Sequence, residues 1–80
     1  MPTIANFGAY SVKIYFADHP PPHFHVVASE FGARIEIETL STIDGRLPPA
    51  IRRRVMRWAS ENKALLTRRW NEINPTGVWR

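Results

Sequence analysis

Hydrophobic and polar positions alternate through the first half of the chain and then change period. In YSVKIYFA, residues 10–17, Val12, Ile14 and Phe16 alternate with Lys13 and Tyr15, the period of two expected of a strand with one buried face. The shorter TIANF before it predicts a first strand, joined through a tight turn at Gly8-Ala9. FHVVAS and ARIEIET predict the next pair, with Phe24, Val26, Ala28, Ile35 and Ile37 facing inward. If both show one face to one core, a two-residue Phe31-Gly32 turn sets Glu30 opposite Ala33, Ala28 opposite Ile35 and Val26 opposite Ile37. The same register sets His25 opposite Glu38 on the outer face. LSTIDGRL adds a short strand that ends at an Asp44-Gly45 turn.

After LPP the apolar spacing becomes helical. Pro48 or Pro49 suits a first helical turn, where the missing N–H has no partner in any case. Ile51, Val55, Trp58 and Ala59 make one apolar stripe, with Arg53 and Arg57 on the opposite side. An unbroken helix would carry Asn62 and Arg69 into that stripe. A break is therefore expected near Ser60-Glu61-Asn62, with Ser60 as N-cap of a second helix. That helix turns Leu65, Leu66, Trp70 and Ile73 inward and stops at NPTG. The predicted class is α+β: a small antiparallel sheet of four or five strands with two C-terminal α-helices packed on one face. Residues 1–74 form one domain and residues 75–80 a flexible tail, in which Trp79 is available to dock on a partner.

Composition narrows this picture. A chain of 80 residues buries only about 60% of the surface it exposes when unfolded, so its large aromatics (Trp58, Trp70, Phe7, Phe16 and Phe24) are expected to fill the core. There is no cysteine, which removes disulfides, thiolate ligands and thiol nucleophiles. MPTIANFGAY has neither a basic leader nor an apolar run, and no stretch reaches the length of a membrane span. A cytoplasmic protein that does not enter a membrane is expected. Charge is divided along the chain: residues 1–45 carry a net −3, residues 46–80 a net +7. A basic C-terminal half is the footprint of a surface that meets phosphates or an acidic partner, and it also fits a solvated helix face.

The densest chemistry lies in DHPPPHFHV, residues 18–26. Pro20, Pro21 and Pro22 donate no backbone hydrogen bond and stay out of a sheet ladder. They predict a stiff polyproline-like connector, with Asp18 starting the turn. His23 and His25 flank Phe24, so on a strand both imidazoles share a face while Phe24 enters the core. Three readings follow. His23 and His25 with one of Asp18, His19 or Glu38 can supply three metal ligands, leaving a position for water. Alternatively, His23 and His25 act as general base and general acid in RNA cleavage by a 2′-hydroxyl, with Glu38 orienting His25, because a carboxylate beside an imidazole favours its protonated form. The third is architectural: the prolines shape the connector and the histidines make local hydrogen bonds. No serine–histidine–aspartate signature is present, and no organic cofactor is implied.

IRRRVMRW supplies Arg52, Arg53, Arg54 and Arg57, with Lys63, Arg68 and Arg69 further on. Arg53 and Arg57, four residues apart, can bridge neighbouring phosphates or meet an acidic protein. No zinc finger, RNA-recognition aromatic signature or homeodomain pattern accompanies them, so sequence-specific reading is not indicated.

MPTI, the F-G-x-Y turn, YFADHPPPHFHV, GRLPP and the tryptophan-bearing basic helix together resemble a family of small bacterial proteins catalogued as a domain of unknown function. The resemblance runs from residue 1 to about residue 73 and is most specific in D-H-x-P-P-H-x-H-V. It places Asp18, His19, Pro20, Pro21, His23, His25 and Trp58 at the family's signature positions and brings no catalytic residue with it. It implies a toxin–antitoxin association, with a small protein encoded by a neighbouring gene as partner; some members are labelled transcriptional regulators. The expected function is a small basic module that binds a protein partner, with RNA or DNA as a further ligand, through Arg52, Arg53, Arg54, Arg57 and Arg68. The alternative is a small ribonuclease toxin using His23 and His25, with or without metal.

Overall fold

The change of period divides the molecule where the sequence predicts. In a computed structural model, which describes residues 3–75, strands precede Leu47 and helices follow it. The strands are β1 (Thr3–Asn6), β2 (Ser11–Lys13), β3 (His23–Val27), β4 (Gly32–Glu36) and β5 (Thr42–Arg46); the helices are α1 (Pro49–Glu61) and α2 (Lys63–Ile73). All strand pairs are antiparallel and the order is β1-β2-β3-β4-β5, a meander without crossovers. Val12, Ile14, Phe24, Val26, Ile35 and Ile37 are buried in one cluster with Val55, Ala59, Leu66 and Trp70 from the helices. Each Val, Leu, Ile and Phe of this cluster contributes about 1.5–3 kcal/mol by leaving water. The fold is α+β, as expected.

The β3–β4 register differs from the expected one. His23 faces Glu36, Phe24 faces Ile35, His25 faces Arg34 and Val26 faces Ala33. The connection is a four-residue turn over residues 28–31, closed by the Ala28 N–H donating to the Phe31 carbonyl at 3.0 Å. Phe31 is not at the centre of a tight turn; its ring packs toward Tyr10 at a centroid distance of 6.4 Å. The two registers differ by an even number of residues, so every core side chain keeps its face while the outer neighbours change. His25 consequently does not sit opposite Glu38, which lies beyond β4 in the turn to β5.

Three further expectations are corrected. β2 ends at Lys13 and the chain turns at Phe16 and Ala17, which leaves the Phe16 ring 64% exposed instead of buried. Phe7 is also largely exposed, stacked on Tyr10 and edge-on to Trp58. Asp44-Gly45 is not a turn: β5 runs through both residues, with Gly45 at φ 84° facing Ala33. A β-carbon there would clash with the Gly32 carbonyl oxygen and the Ala33 α-carbon, so only glycine fits. The helices break at Asn62, as predicted, but Ser60 stays inside α1 and donates its hydroxyl to the Arg57 carbonyl. Asn62 instead donates its side-chain amide to the Trp58 carbonyl at 2.8 Å, satisfying one of the carbonyls left open at the end of α1. The expected tail beyond Pro75, with Trp79, lies outside the described residues.

Candidate functional site

The connector between β2 and β3 bends at Pro20 and Pro21, joined by a cis peptide bond, and is not an extended polyproline run. Its bend brings Asp18 back over the first residues of β3. The Asp18 Oδ2 atom lies 2.9 Å from His23 Nε2 and 2.9 Å from His25 Nε2. The carboxylate beside His25 is therefore Asp18, seven residues earlier in the chain, and not Glu38. His23 is only 1% exposed, with its ring against Trp70 of α2 at 5.2 Å. His25 and Asp18 keep 21% and 25% of their side-chain surface, and the His25 ring meets Tyr15 edge-on at 4.5 Å.

Asn74, at the end of α2, holds this corner in place. Its Oδ1 accepts a hydrogen bond from the Asp18 N–H at 3.0 Å and its Nδ2 donates to the Tyr15 carbonyl at 3.0 Å. Between those two positions Ala17 adopts φ 61°, a left-handed conformation that is unfavourable by about 1–2 kcal/mol for an L-residue with a β-carbon. The two bonds from a buried amide oppose that strain. Burial pushes the Asp18 carboxyl up, but the hydrogen bond from His25 and the charges of His23 and His25 outweigh it and hold it below its ordinary value. Nothing in the sequence marked Asn74 beyond its place before a proline at a helix end; its partners lie 56 and 59 residues away.

His23 has one settled hydrogen bond: its Nδ1 lies 2.8 Å from the Pro21 carbonyl oxygen. A carbonyl only accepts, so Nδ1 carries a proton and donates it. In the neutral ring, Nε2 is then a bare lone pair. That atom is buried and makes no hydrogen bond. Although Asp18 Oδ2 is 2.9 Å away, the oxygen lies off the line along which an Nε2 proton would point, so the contact is one of charge and proximity. The burial of His23 also bears on the acid–base reading. A general acid or base must reach the substrate's proton directly or through one water, and among these residues His25 has the exposure to do so.

The arginines separate into three environments. Ala50, Arg53, Arg54 and Arg57 line one shallow depression on α1, the i, i+3, i+4, i+7 spacing of a single helix face. Arg52 turns away and donates to the Thr42 hydroxyl of β5 at 3.1 Å. Arg68 lies on α2 in a groove with Glu38, Lys63, Thr67, Asn71 and Glu72. The structure thus groups Arg53, Arg54 and Arg57 and leaves Arg52 and Arg68 outside that group. Trp70 is buried and Trp58 packs edge-on to Phe24 at 6.4 Å, so both serve the core.

A five-stranded meander backed by two helices, with a His–Asp–His corner at one end of β3 and an arginine face on α1, defines a small α+β domain with two distinct polar regions. The chain belongs to the family described as domain of unknown function DUF4160, whose model matches residues 9–71. That span holds Asp18, His23, His25 and the arginines through Arg69, and stops short of Asn74. No curated protein and no solved structure matches the chain. No helix among the described residues is long and apolar enough to cross a membrane.

Proposed function

We propose that this protein is a cytoplasmic binding module of toxin–antitoxin type whose α1 arginine face docks an acidic surface of a small partner protein encoded by a neighbouring gene. One observation carries the reading: Arg53, Arg54 and Arg57 share a face and, among the described residues, none of the three has an ion-pair partner. They follow a first turn that contains no acidic residue. Positive potential from the aligned peptide dipoles at the helix N-terminus disfavours the cations closest to it, Arg53 and Arg54, and Arg57 repels both at i+4 and i+3 spacing. Helix stability does not account for the arrangement, whereas an anionic partner does.

The same face suits phosphates, and nucleic acid is the second ligand the reading allows. Neutralising three phosphates gives a log–log salt slope of about −2 to −3. The ribonuclease alternative retains the His25–Asp18 hydrogen bond in its favour, while the burial of His23 takes the second imidazole out of a substrate's reach. The test is co-purification with the neighbouring gene's product and a filter-binding assay with RNA and DNA, using wild-type protein and the Arg53→Glu/Arg57→Glu variant. The variant is expected to fold normally and lose the complex. A complex of unchanged strength in the variant would reject the arginine face as the contact surface.

A further inference from the structure

Independently of the arginine face, the corner formed by Asp18, His23 and His25 has an unsolved electrostatic problem. His23 Nε2 is buried and without a hydrogen bond, and in the neutral ring its lone pair lies beside a carboxylate oxygen at 2.9 Å. Two electron-rich atoms at that distance repel each other unless something positive lies between them or beside both. A proton on Nε2 would need to point along the ring axis, and the oxygen is not there. A cation bonded to both atoms places them differently: each ligand's lone pair points at the ion, and the neighbouring ligand lies off that axis.

We propose that Asp18, His23 and His25 form a binding site for a divalent first-row transition-metal ion, Zn(II) or its neighbours. One donor atom from each residue lies within 4.8 Å of the other two. The two 2.9 Å N···O separations each subtend about 90° at an ion roughly 2.1 Å from both atoms, the angle between adjacent ligands of an octahedral site, and widening them to about 3.4 Å gives the tetrahedral angle of Zn(II). The two imidazole nitrogens lie within 4.8 Å of each other, and the partly exposed His25 ring is the one free to close on the ion. Two imidazoles and a carboxylate are the donor set that selects Zn(II), Ni(II), Co(II) or Fe(II) over Mg(II) and Ca(II). The hydrogen bond from His23 Nδ1 to the Pro21 carbonyl is the outer-shell contact that fixes the tautomer and orientation of a ligating histidine. The partial exposure of Asp18 and His25 leaves the remaining coordination positions facing solvent, where water completes the shell. The prolines then have a chemical role beyond stiffness: Pro21 supplies the carbonyl, and the bend returns Asp18 to the two histidines.

The experiment uses untagged full-length protein stripped with chelator. Zn(II) is titrated by calorimetry in competition with a chelating dye, Co(II) is followed by its visible absorption, and Mg(II) is the control. One equivalent of Zn(II) should bind, raise the melting temperature, and give with Co(II) absorption bands of a low-symmetry nitrogen–oxygen site, while Mg(II) does nothing. His25→Ala and Asp18→Asn, at partly exposed positions outside the apolar core, should each weaken Zn(II) binding at least about tenfold. His23→Ala should abolish it, and circular dichroism shows whether that variant is folded. Arg53→Glu/Arg57→Glu should bind Zn(II) as wild type does, which separates this site from the partner surface. The proposal is overturned if the intact protein shows no saturable one-to-one binding. It is equally overturned if His25→Ala and Asp18→Asn, both folded, bind Zn(II) as tightly as wild type.

Discussion

The two polar regions of this protein handle charge in opposite ways. At the corner, three titratable groups are packed among Trp70, Tyr15 and Asn74, and one buried polar atom, His23 Nε2, has no hydrogen bond. On α1, three guanidinium groups share an exposed face without a partner among the described residues. Interlocking ties the corner to the stability of the fold, because a buried polar group that loses its partner is penalised by its full desolvation. The α1 face is almost free to vary without consequence for folding. A substitution at the corner should therefore move stability first, and a substitution on α1 should move binding first.

The largest expected effect is Trp70→Ala. Removing this ring leaves a cavity over His23 and part of the core, and large aromatic truncations of this kind typically lower stability by about 3–5 kcal/mol. Chemical denaturation measures it; a loss under 1 kcal/mol would mean the corner is not held by packing. Next is Asn74→Ala, which deletes both bonds to the loop, leaves a buried donor and acceptor unpaired, and removes the clamp across Ala17. A loss of about 2–3 kcal/mol is expected. The loss should be partly recovered by adding Ala17→Gly, since glycine relaxes the left-handed backbone that the clamp holds. Additive effects of the two changes would show that the clamp and the strain are unrelated.

The difference in coupling also explains what the sequence made legible. Period-two and helical spacing located both halves of the fold, and parity placed Val12, Ile14, Phe24, Val26, Ile35 and Ile37 inward even though the assumed register was four positions off. Parity is a local property; register is not, because it depends on turn length, and the four-residue turn closed by Ala28 and Phe31 carries the Phe31 ring toward Tyr10, a contact the sequence spacing does not encode. The same limit applies at the corner. His23 and His25 were visible as candidates from their spacing, and Asp18 from its place beside the prolines. That Asp18, not Glu38, meets His25 depended on a bend in the connector and on an asparagine more than fifty residues away. On α1, four-residue spacing made the pairing of Arg53 with Arg57 legible, but Arg52 and Arg68, expected on the same surface, lie elsewhere: Arg52 reaches the Thr42 hydroxyl and Arg68 lines a groove on α2.

Ala50→Glu turns the comparison into a test with two signs. Position 50 is exposed, in the first turn of α1, and in the same depression as Arg53, Arg54 and Arg57. A carboxylate there complements the helix dipole and forms i, i+3 and i, i+4 pairs with Arg53 and Arg54, so stability should rise by about 0.3–1 kcal/mol. Partner or phosphate binding should fall, because the added charge occupies the face a ligand would use. Calorimetric unfolding beside a binding assay reads both. If stability and affinity fell together, the arginines would be structural after all.

The smallest effect expected is at the outer face of the sheet, where Arg34 of β4 grips Asp44 of β5 through Nε at 3.0 Å and Nη2 at 2.6 Å. The hydrogen bonds from Arg34 hold the Asp44 carboxyl below its ordinary value; slight desolvation works the other way, and the charges of Arg34, His25 and His23 add to the lowering. A carboxyl depressed in the folded state contributes stability above its unfolded pKa, near 4 for an aspartate, and that contribution disappears as pH falls through the lower folded value. Both side chains are well exposed, so the pair is screened by salt and weak. Wild type should therefore be slightly more stable than Asp44→Asn at neutral pH, and the gap should begin to close below about pH 4 and vanish only below the lowered folded value. Added salt at neutral pH should narrow the same gap. A gap that stays constant down to pH 2.5 would assign it to β5 packing beside Gly45, leaving the ion pair with no part in joining the edge strand to the sheet.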